Sequence, residues 1–232
     1  MKYLLLSIVV ITISCSNKGN TKVESYDNDK TESLIAILDT IWKREQIPIR
    51  RRDSIGRALG FESEAFKTQN EIYHKNHDIN EKKVLQILDS LGWPNKKIIG
   101  EQGNLTICNI LQHSSIEVRE KYLPLMRKAV EDKELSPRFL VRAVDRIATD
   151  KNELQVYGGQ MKYYSETKSF NFWPIKDPEN LEKRRAEMGM ESISQFLKRK
   201  RVDLEWNLEE QIKRSEEFIL AKQNDNKQYK PD

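Results

Sequence analysis

The stretch Asn104-Leu-Thr-Ile-Cys-Asn-Ile-Leu-Gln112 is apolar on nearly every side of a helical projection. A helix that is hydrophobic all round is one that neighbouring elements surround. We therefore expect residues 104–112 to form the central helix of a helical domain. Cys108, within this run, is expected to be a small buried apolar residue.

Helical periodicity continues on both sides of this segment. N-cap signals at Asp29 and Ser114 precede stretches in which apolar residues recur every three to four positions. Pro48 is expected to interrupt the first helix, because a proline inside a helix removes a backbone hydrogen bond. Two separate helices are expected over residues 63–77 and 80–91.

The pattern changes at Leu154. Residues 154–164 and 169–175 are aromatic and partly alternate between apolar and polar side chains, with Ser165-Glu-Thr-Lys168 between them. Such a pattern is typical of a β-hairpin. The predicted fold class is therefore mainly α, a helical domain with one small β-hairpin.

The N-terminus has the signature of an exported protein. Lys2 precedes an apolar run that ends at Ile13, and this run is too short to span a bilayer as a helix. The following Cys15, with a polar stretch after it, is typical of a lipoprotein, so we expect acyl chains such as palmitate on Cys15. Thr12 departs from the usual Leu, and an ordinary signal peptide cut near Ser14 is the alternative.

This organisation predicts a protein held in the cell envelope by its lipid, with its domain outside the cytoplasm and its anchor in the outer membrane. The predicted segments are a lipoprotein signal peptide (1–14), a flexible tether (15–28), the helical domain (29–203, hairpin at about 154–175), a charged C-terminal helix (204–221) and a disordered tail (222–232).

Composition excludes several classes of protein. Charged residues make up 33% of the chain and its mean hydropathy is −0.73, but its net charge of +4 is too small to indicate a nucleic-acid partner. The longest basic run, Lys198-Arg-Lys-Arg201, is interpreted as a solvated helix end. Acylation of Cys15 would leave Cys108 without a partner for a disulfide or a zinc site. No phosphate-binding loop, nucleophile elbow or zinc-protease motif is present, so no cofactor and no metal is expected.

Several short motifs occur together in a characteristic order. They are Trp42-x-x-Glu45-Gln46, Gly92-Trp93-Pro94, Gln112-His113, Asp145-Arg146, Gln155-x-Tyr157-Gly158-x-Gln160 and Arg184-Arg185. The ordered set resembles a bacterial family of domains of unknown function that has members among Bacteroidetes-type lipoproteins. The resemblance implies a mainly helical domain with a small hairpin, and it implies no reaction. Two departures are Ser115 in place of an Asp and Gly159 in place of a Thr.

The same motifs supply a candidate site. One hypothesis brings them into one hydrogen-bonded cleft, with His113 as general acid or base and Asp145 as the carboxylate that orients it. Arg146 would bind an anionic group of the ligand. The alternative is a structural polar network that fastens the hairpin to the helices. The candidate ligand-binding residues are Gln112, Arg146, Gln155, Tyr157 and Gln160.

A second constellation is His74-x-x-His77. Two histidines three residues apart on a helix can share a metal ion, but zinc needs three or four ligands and no others are evident. We interpret this pair as part of a solvated helix end.

Three functions remain open from the sequence. The first is a non-catalytic envelope lipoprotein, anchored to a membrane, that binds an unidentified protein or small molecule. The second is an extracytoplasmic hydrolase or transferase that uses His113 and Asp145. The third is a structural protein that works through its charged C-terminal helix.

Overall fold

A computed structural model describes residues 28–228, which form eight α-helices and one two-stranded antiparallel sheet. The fold class is confirmed as mainly α with one small hairpin. The predicted signal peptide, Cys15 and the tether through residue 27 lie outside the described residues. The elements are α1 (Asn28–Leu59), α2 (Glu64–Leu91), α3 (Lys96–His113), α4 (Ile116–Glu131), α5 (Pro137–Asp150), β1 (Met161–Tyr164), β2 (Ser169–Phe172), a 3-10 turn (Pro178–Asn180), α6 (Leu181–Glu187), α7 (Ile193–Lys200) and α8 (Leu208–Gln228).

Helix α1 runs through Pro48 without a break, so the predicted interruption there is wrong. Pro48 has no backbone N–H, and the carbonyl of Arg44 one turn earlier therefore loses its helical donor. The side chain of Asn76 in α2 supplies a substitute, because its Nδ2 donates to the Arg44 oxygen at 3.4 Å. Packing against α2 thus compensates the defect that the proline introduces.

Helix α2 is likewise one helix instead of the two predicted. The side chains of His77 and Asn80, at the expected break, are both buried against Glu45 of α1. These contacts give the polar side chains of this segment hydrogen-bond partners across the interface with α1, so the segment is stable as a helix. The helix ends at Gly92, whose positive φ of 70° favours glycine.

Helix α3 is the central helix that the sequence predicts. It contacts α1, α2, α4 and α5, and its residues Ile107 and Ile110 are fully buried. The turn before it is held by Trp93, whose Nε1 donates to Oδ1 of Asn104 at 2.8 Å. The N-cap of the next helix is Ser115, one residue later than predicted.

Apolar side chains form two separate clusters. The helical cluster joins α1 to α5 and includes Leu38, Ile41, Val84, Ile107, Met126 and Leu140. The hairpin cluster joins the β-hairpin to α6 and α7 and consists of Phe172, Ile175, Leu181, Ile193, Phe196 and Leu197.

The charged C-terminal helix packs beside the hairpin cluster. Ser215 of α8 accepts a hydrogen bond from the N–H of Ile175 and donates one to its carbonyl. Helix α8 begins at Leu208 and continues to Gln228, so residues 222–228 are helical where a disordered tail was predicted. Within residues 28–228, none of the helices combines the length and the apolarity needed to cross a bilayer.

Candidate functional site

Asp145 is the point where α5 meets the loop before the hairpin. Its side chain is fully buried. Oδ1 accepts hydrogen bonds from the backbone N–H groups of Val156 and Tyr157 at 2.8 and 2.9 Å, and Oδ2 accepts one from Gly159 at 2.7 Å. Burial raises the pKa of Asp145, while the three N–H donors and the nearby Arg185 oppose that rise. The carboxylate therefore fastens residues 155–160, which we name the Asp145 loop, to the helical cluster.

Gln155 holds the same loop from inside. Its side chain is fully buried, and its Oε1 accepts from the N–H of Gln160 at 2.8 Å. Its Nε2 donates to the carbonyls of Gln160 and Trp173 at 2.9 and 2.6 Å. The side chain of Gln155 thus bonds to backbone groups as a neighbouring strand would, and it joins the loop to the hairpin.

A cleft of about 600 Å³ lies between the helical cluster and the hairpin cluster. Of the described residues, five cationic ones and no acidic one line it. The cations are Arg138, Arg142, Arg185, Arg199 and Lys200. The rest of the lining is mainly apolar, and comprises Leu105, Phe139, Val141, Met161, Phe170, Met190, Phe196 and Val202, with Gly159 and Gln160. We call this feature the basic cleft.

Three helices bring these cations together. Arg138 and Arg142 are one turn apart and so share a face of α5, while Arg199 and Lys200 end α7. Desolvation and the neighbouring Arg142 and Arg199 lower the pKa of Lys200. Arg199 is partly neutralised by Glu191, whose Oε1 lies 2.9 Å from its Nε. Like charges therefore face one another across the cleft.

Arg185 lies in the floor of the basic cleft, and only 1% of it is exposed. Its Nη1 donates to the carbonyl of Tyr157 at 2.6 Å and its Nε to that of Glu191 at 2.8 Å. Its Nη2 is buried and has no hydrogen-bond partner among the described residues. Arg185 is therefore held in place by the two carbonyls and contributes its positive charge to the cleft.

The hypothesis placed the predicted ligand-binding residues in one cleft, but in the structure they lie in different places. Gln160 lines the basic cleft. Gln155 is used inside the Asp145 loop, and the backbone of Tyr157 bonds to Asp145 and Arg185.

Arg146 and Gln112 lie elsewhere. Arg146 is not among the residues that line the cleft and pairs with Asp150, at an Nε–Oδ1 distance of 3.4 Å. Gln112 lines a separate cavity of only about 20 Å³ with Cys108 and Arg142. Cys108 itself is buried, as predicted.

The structure does not form the predicted pair of His113 and Asp145. Both Asp145 oxygens bond to backbone N–H groups, and within residues 28–228 no hydrogen bond joins them to His113. His113 instead packs edge-on against His77, with ring centroids 6.3 Å apart. Desolvation, His77 and Arg142 lower the pKa of His113 to about 4. A catalytic role for His113 stays a prediction, but Asp145 does not orient it.

His77 is buried against Glu45, so its interpretation as part of a solvated helix end was wrong. Its Nδ1 lies 3.3 Å from Oε2 of Glu45, and Asn80 donates to the other carboxylate oxygen at 2.8 Å. Desolvation lowers the pKa of His77, but the hydrogen bond and the charge of Glu45 raise it, and the net shift is upward. No cluster of potential metal ligands occurs in the described part of the chain.

The cations of the basic cleft were missed at the sequence level. Two signals were available: the spacing of Arg138 and Arg142 on one helix face, and the run at residues 198–201. Each alone is typical of a solvated surface. Their convergence depends on how α7 sits against α5, which no local pattern encodes.

We expect Asp145→Asn to lower the free energy of unfolding by about 2–4 kcal/mol, because an amide replaces a charged acceptor and turns its own N–H₂ toward a backbone donor. Urea denaturation measures this change. Asp132→Asn is the matched control, since Asp132 forms only an exposed pair with Lys128 and should cost under about 0.5 kcal/mol. Equal effects of the two changes would contradict the role assigned to Asp145.

The His77–Glu45 contact predicts a pH dependence. The folded-state pKa of His77 lies above its ordinary value of 6.5, so its contribution to stability is complete below pH 6.5 and is lost as pH rises through the folded-state pKa. His113 stays neutral over this range because its pKa is about 4.

Urea unfolding between pH 6.5 and 9 should therefore show a decline that His77→Asn removes and His74→Asn, at an exposed position on the same helix, retains. An unchanged profile in His77→Asn would count against the contact.

Comparison with known proteins identifies the domain. A family of unknown function, DUF6624, matches residues 65–204. The match spans α2 to α7 and so includes Asp145 and the residues of the basic cleft. Searches of the curated proteins and of the solved structures gave no match. Since the matched region is more than half of the chain, the protein belongs to this family of unknown function.

Proposed function

We propose that this protein is a lipid-anchored module of the cell envelope that binds a small anionic ligand in the basic cleft. The observation that carries the proposal is the cleft lining itself, which holds five cationic residues and, among the described residues, no acidic one. Like charges repel one another, and an anion relieves that repulsion. The guanidinium groups of Arg138 and Arg142 in the lining offer such an anion charge-assisted donors.

Binding is favoured over catalysis by what the cleft lacks. Among the residues that the structure describes, its lining contains no carboxylate, imidazole, hydroxyl or thiol. General acid–base and nucleophilic mechanisms need an ionisable or nucleophilic group within hydrogen-bond reach of the substrate, and only the amine of Lys200 is of that kind here. The alternative of a hydrolase or transferase that uses His113 and Asp145 gains no support from the geometry, because the Asp145 carboxylate is engaged by the backbone.

The lipid anchor is proposed from the N-terminal sequence. A basic residue, an apolar run and Cys15 followed by a polar stretch are typical of a lipoprotein precursor. The only other cysteine, Cys108, is buried, and burial raises the pKa of its thiol well above the ordinary range. Cys15 is therefore the cysteine proposed to carry the acyl chains.

We expect Cys15→Ala to abolish incorporation of labelled palmitate and to shift the protein out of the membrane fraction of a bacterial host. Cys108→Ala, which alters only a buried apolar position, should leave both properties unchanged. Membrane association that survives in Cys15→Ala would contradict the lipid anchor without bearing on the cleft.

Anion binding can be tested on the chain that begins at Ser16, which contains every described residue and carries no lipid. At low ionic strength, calorimetric titration with inorganic pyrophosphate should show binding that Arg142→Gln weakens by about tenfold, which is the loss of one charge-assisted contact. Arg146→Gln is the matched control, since Arg146 is one turn further along the same helix and pairs with Asp150. Equal weakening by both variants would indicate a general charge effect and would refute a site in the cleft.

A further inference from the structure

We infer that the ligand of the basic cleft is an amphipathic anion, with one anionic head group on an aliphatic or aromatic body. This inference rests on the proposed function and specifies its ligand. The cations explain why the ligand carries a negative charge. The remainder of the lining determines the chemistry of the rest of the molecule.

The volume of the cleft is that of a site for an organic ligand. The cleft holds about 600 Å³, which lies within the range of roughly 300–1,000 Å³ typical of pockets for organic ligands. A bare inorganic anion would leave most of this space to water. A ligand that fills the cleft must therefore have a body as well as a charge.

The walls of the cleft are largely apolar. Eight of the fifteen lining residues are apolar, and they include side chains from both clusters. Phe170 of β2 is 54% exposed and belongs to the lining, so its ring is available to an apolar group of a ligand. Met161 and Met190 are half-buried in the same lining, and methionine side chains adapt readily to the shape of an apolar partner.

The cations of the cleft lie next to its apolar groups. Phe196 lies in the cleft with three cations around its ring: the guanidinium carbons of Arg185 and Arg199 at 5.5 and 5.4 Å, and Nζ of Lys200 at 6.0 Å. Apolar and cationic groups are thus in direct contact within one cavity. A head group bound to the cations places the body attached to it against the apolar wall.

The charge also separates this ligand class from two others. A neutral apolar molecule would bring no counter-charge to the cations of the lining. A polyanion such as a nucleic acid would meet an apolar wall and a chain whose net charge is only +4. A single amphipathic anion fits both halves of the cleft. A free acyl carboxylate or phosphate and a membrane lipid share this chemistry.

The test compares probes that differ in one property, on the chain that begins at Ser16. They are dodecyl phosphate below its critical micelle concentration, inorganic phosphate and dodecanol. We expect dodecyl phosphate to bind at least a hundredfold more tightly than inorganic phosphate and more tightly than dodecanol. Equal affinity for the two phosphates, or for dodecyl phosphate and dodecanol, would overturn the inference.

Two pairs of variants place the probe in the cleft. Lys200→Gln should weaken dodecyl phosphate binding about tenfold, whereas Lys198→Gln, on the same helix but outside the cleft lining, should not. Phe170→Ser should weaken the binding of dodecyl phosphate much more than that of pyrophosphate. Leu91→Ser is its control, since Leu91 is an exposed apolar residue on α2 away from the cleft. No effect of Lys200→Gln or of Phe170→Ser on dodecyl phosphate would overturn the inference.

The outcomes separate this inference from the proposed function. If pyrophosphate binds through Arg142 while dodecyl phosphate binds no better than phosphate, the anion site stands and the amphipathic ligand is refuted. If no anion binds, both proposals fail. Vesicles that contain phosphatidylglycerol distinguish the two sources of the ligand. If the protein binds monomeric dodecyl phosphate but not the vesicles, the ligand is a free amphipathic molecule. If it binds both, the ligands of the cleft include a membrane lipid. Binding to vesicles without binding to the monomer would indicate attachment to a bilayer surface and would overturn the inference.

Discussion

A buried carboxylate with three backbone donors joins the helical cluster to the segment that leads into the hairpin. Asp145 lies on the helical cluster, and the N–H groups that it binds belong to the loop that leads into the hairpin cluster. An unpaired buried charge is costly, but one that accepts several N–H bonds is well compensated. Arg185 bonds to a carbonyl of the same loop from the other side. The walls of the basic cleft come from both clusters, so the shape of the cleft depends on this junction.

Much of the architecture follows from local sequence patterns. The all-round apolar segment 104–112 predicts the central helix, and the aromatic alternation after Leu154 predicts the hairpin, and both are found. The breaks expected in α1 and α2 are absent for a tertiary reason. Each expected break places a polar or unpaired group at the α1–α2 interface, and each group finds its partner on the opposite helix. A pattern read along one helix has no access to such partners.

The candidate site was less predictable than the fold. For Asp145, Gln155 and the backbone of Tyr157, the hydrogen bonds have the geometry of a structural network that fastens the hairpin to the helices, which was the alternative to a catalytic cleft. The cations that line the cleft come from α5, α6 and α7, whose positions in the sequence give no sign that they converge. The burial of His77 was not predicted for a similar reason, since its carboxylate partner is 32 residues away in the sequence.

The bridge from Asn76 to the Arg44 carbonyl has a consequence for the order of folding. Helix α1 contains a proline that removes one of its own hydrogen bonds, and the substitute donor belongs to the next helix. Until α2 is in place, residues 28–59 lack that donor, and most of the stability of a helix within a protein comes from tertiary packing. Completion of α1 is therefore coupled to docking of α2, which makes this helical pair a single cooperative unit of about sixty residues.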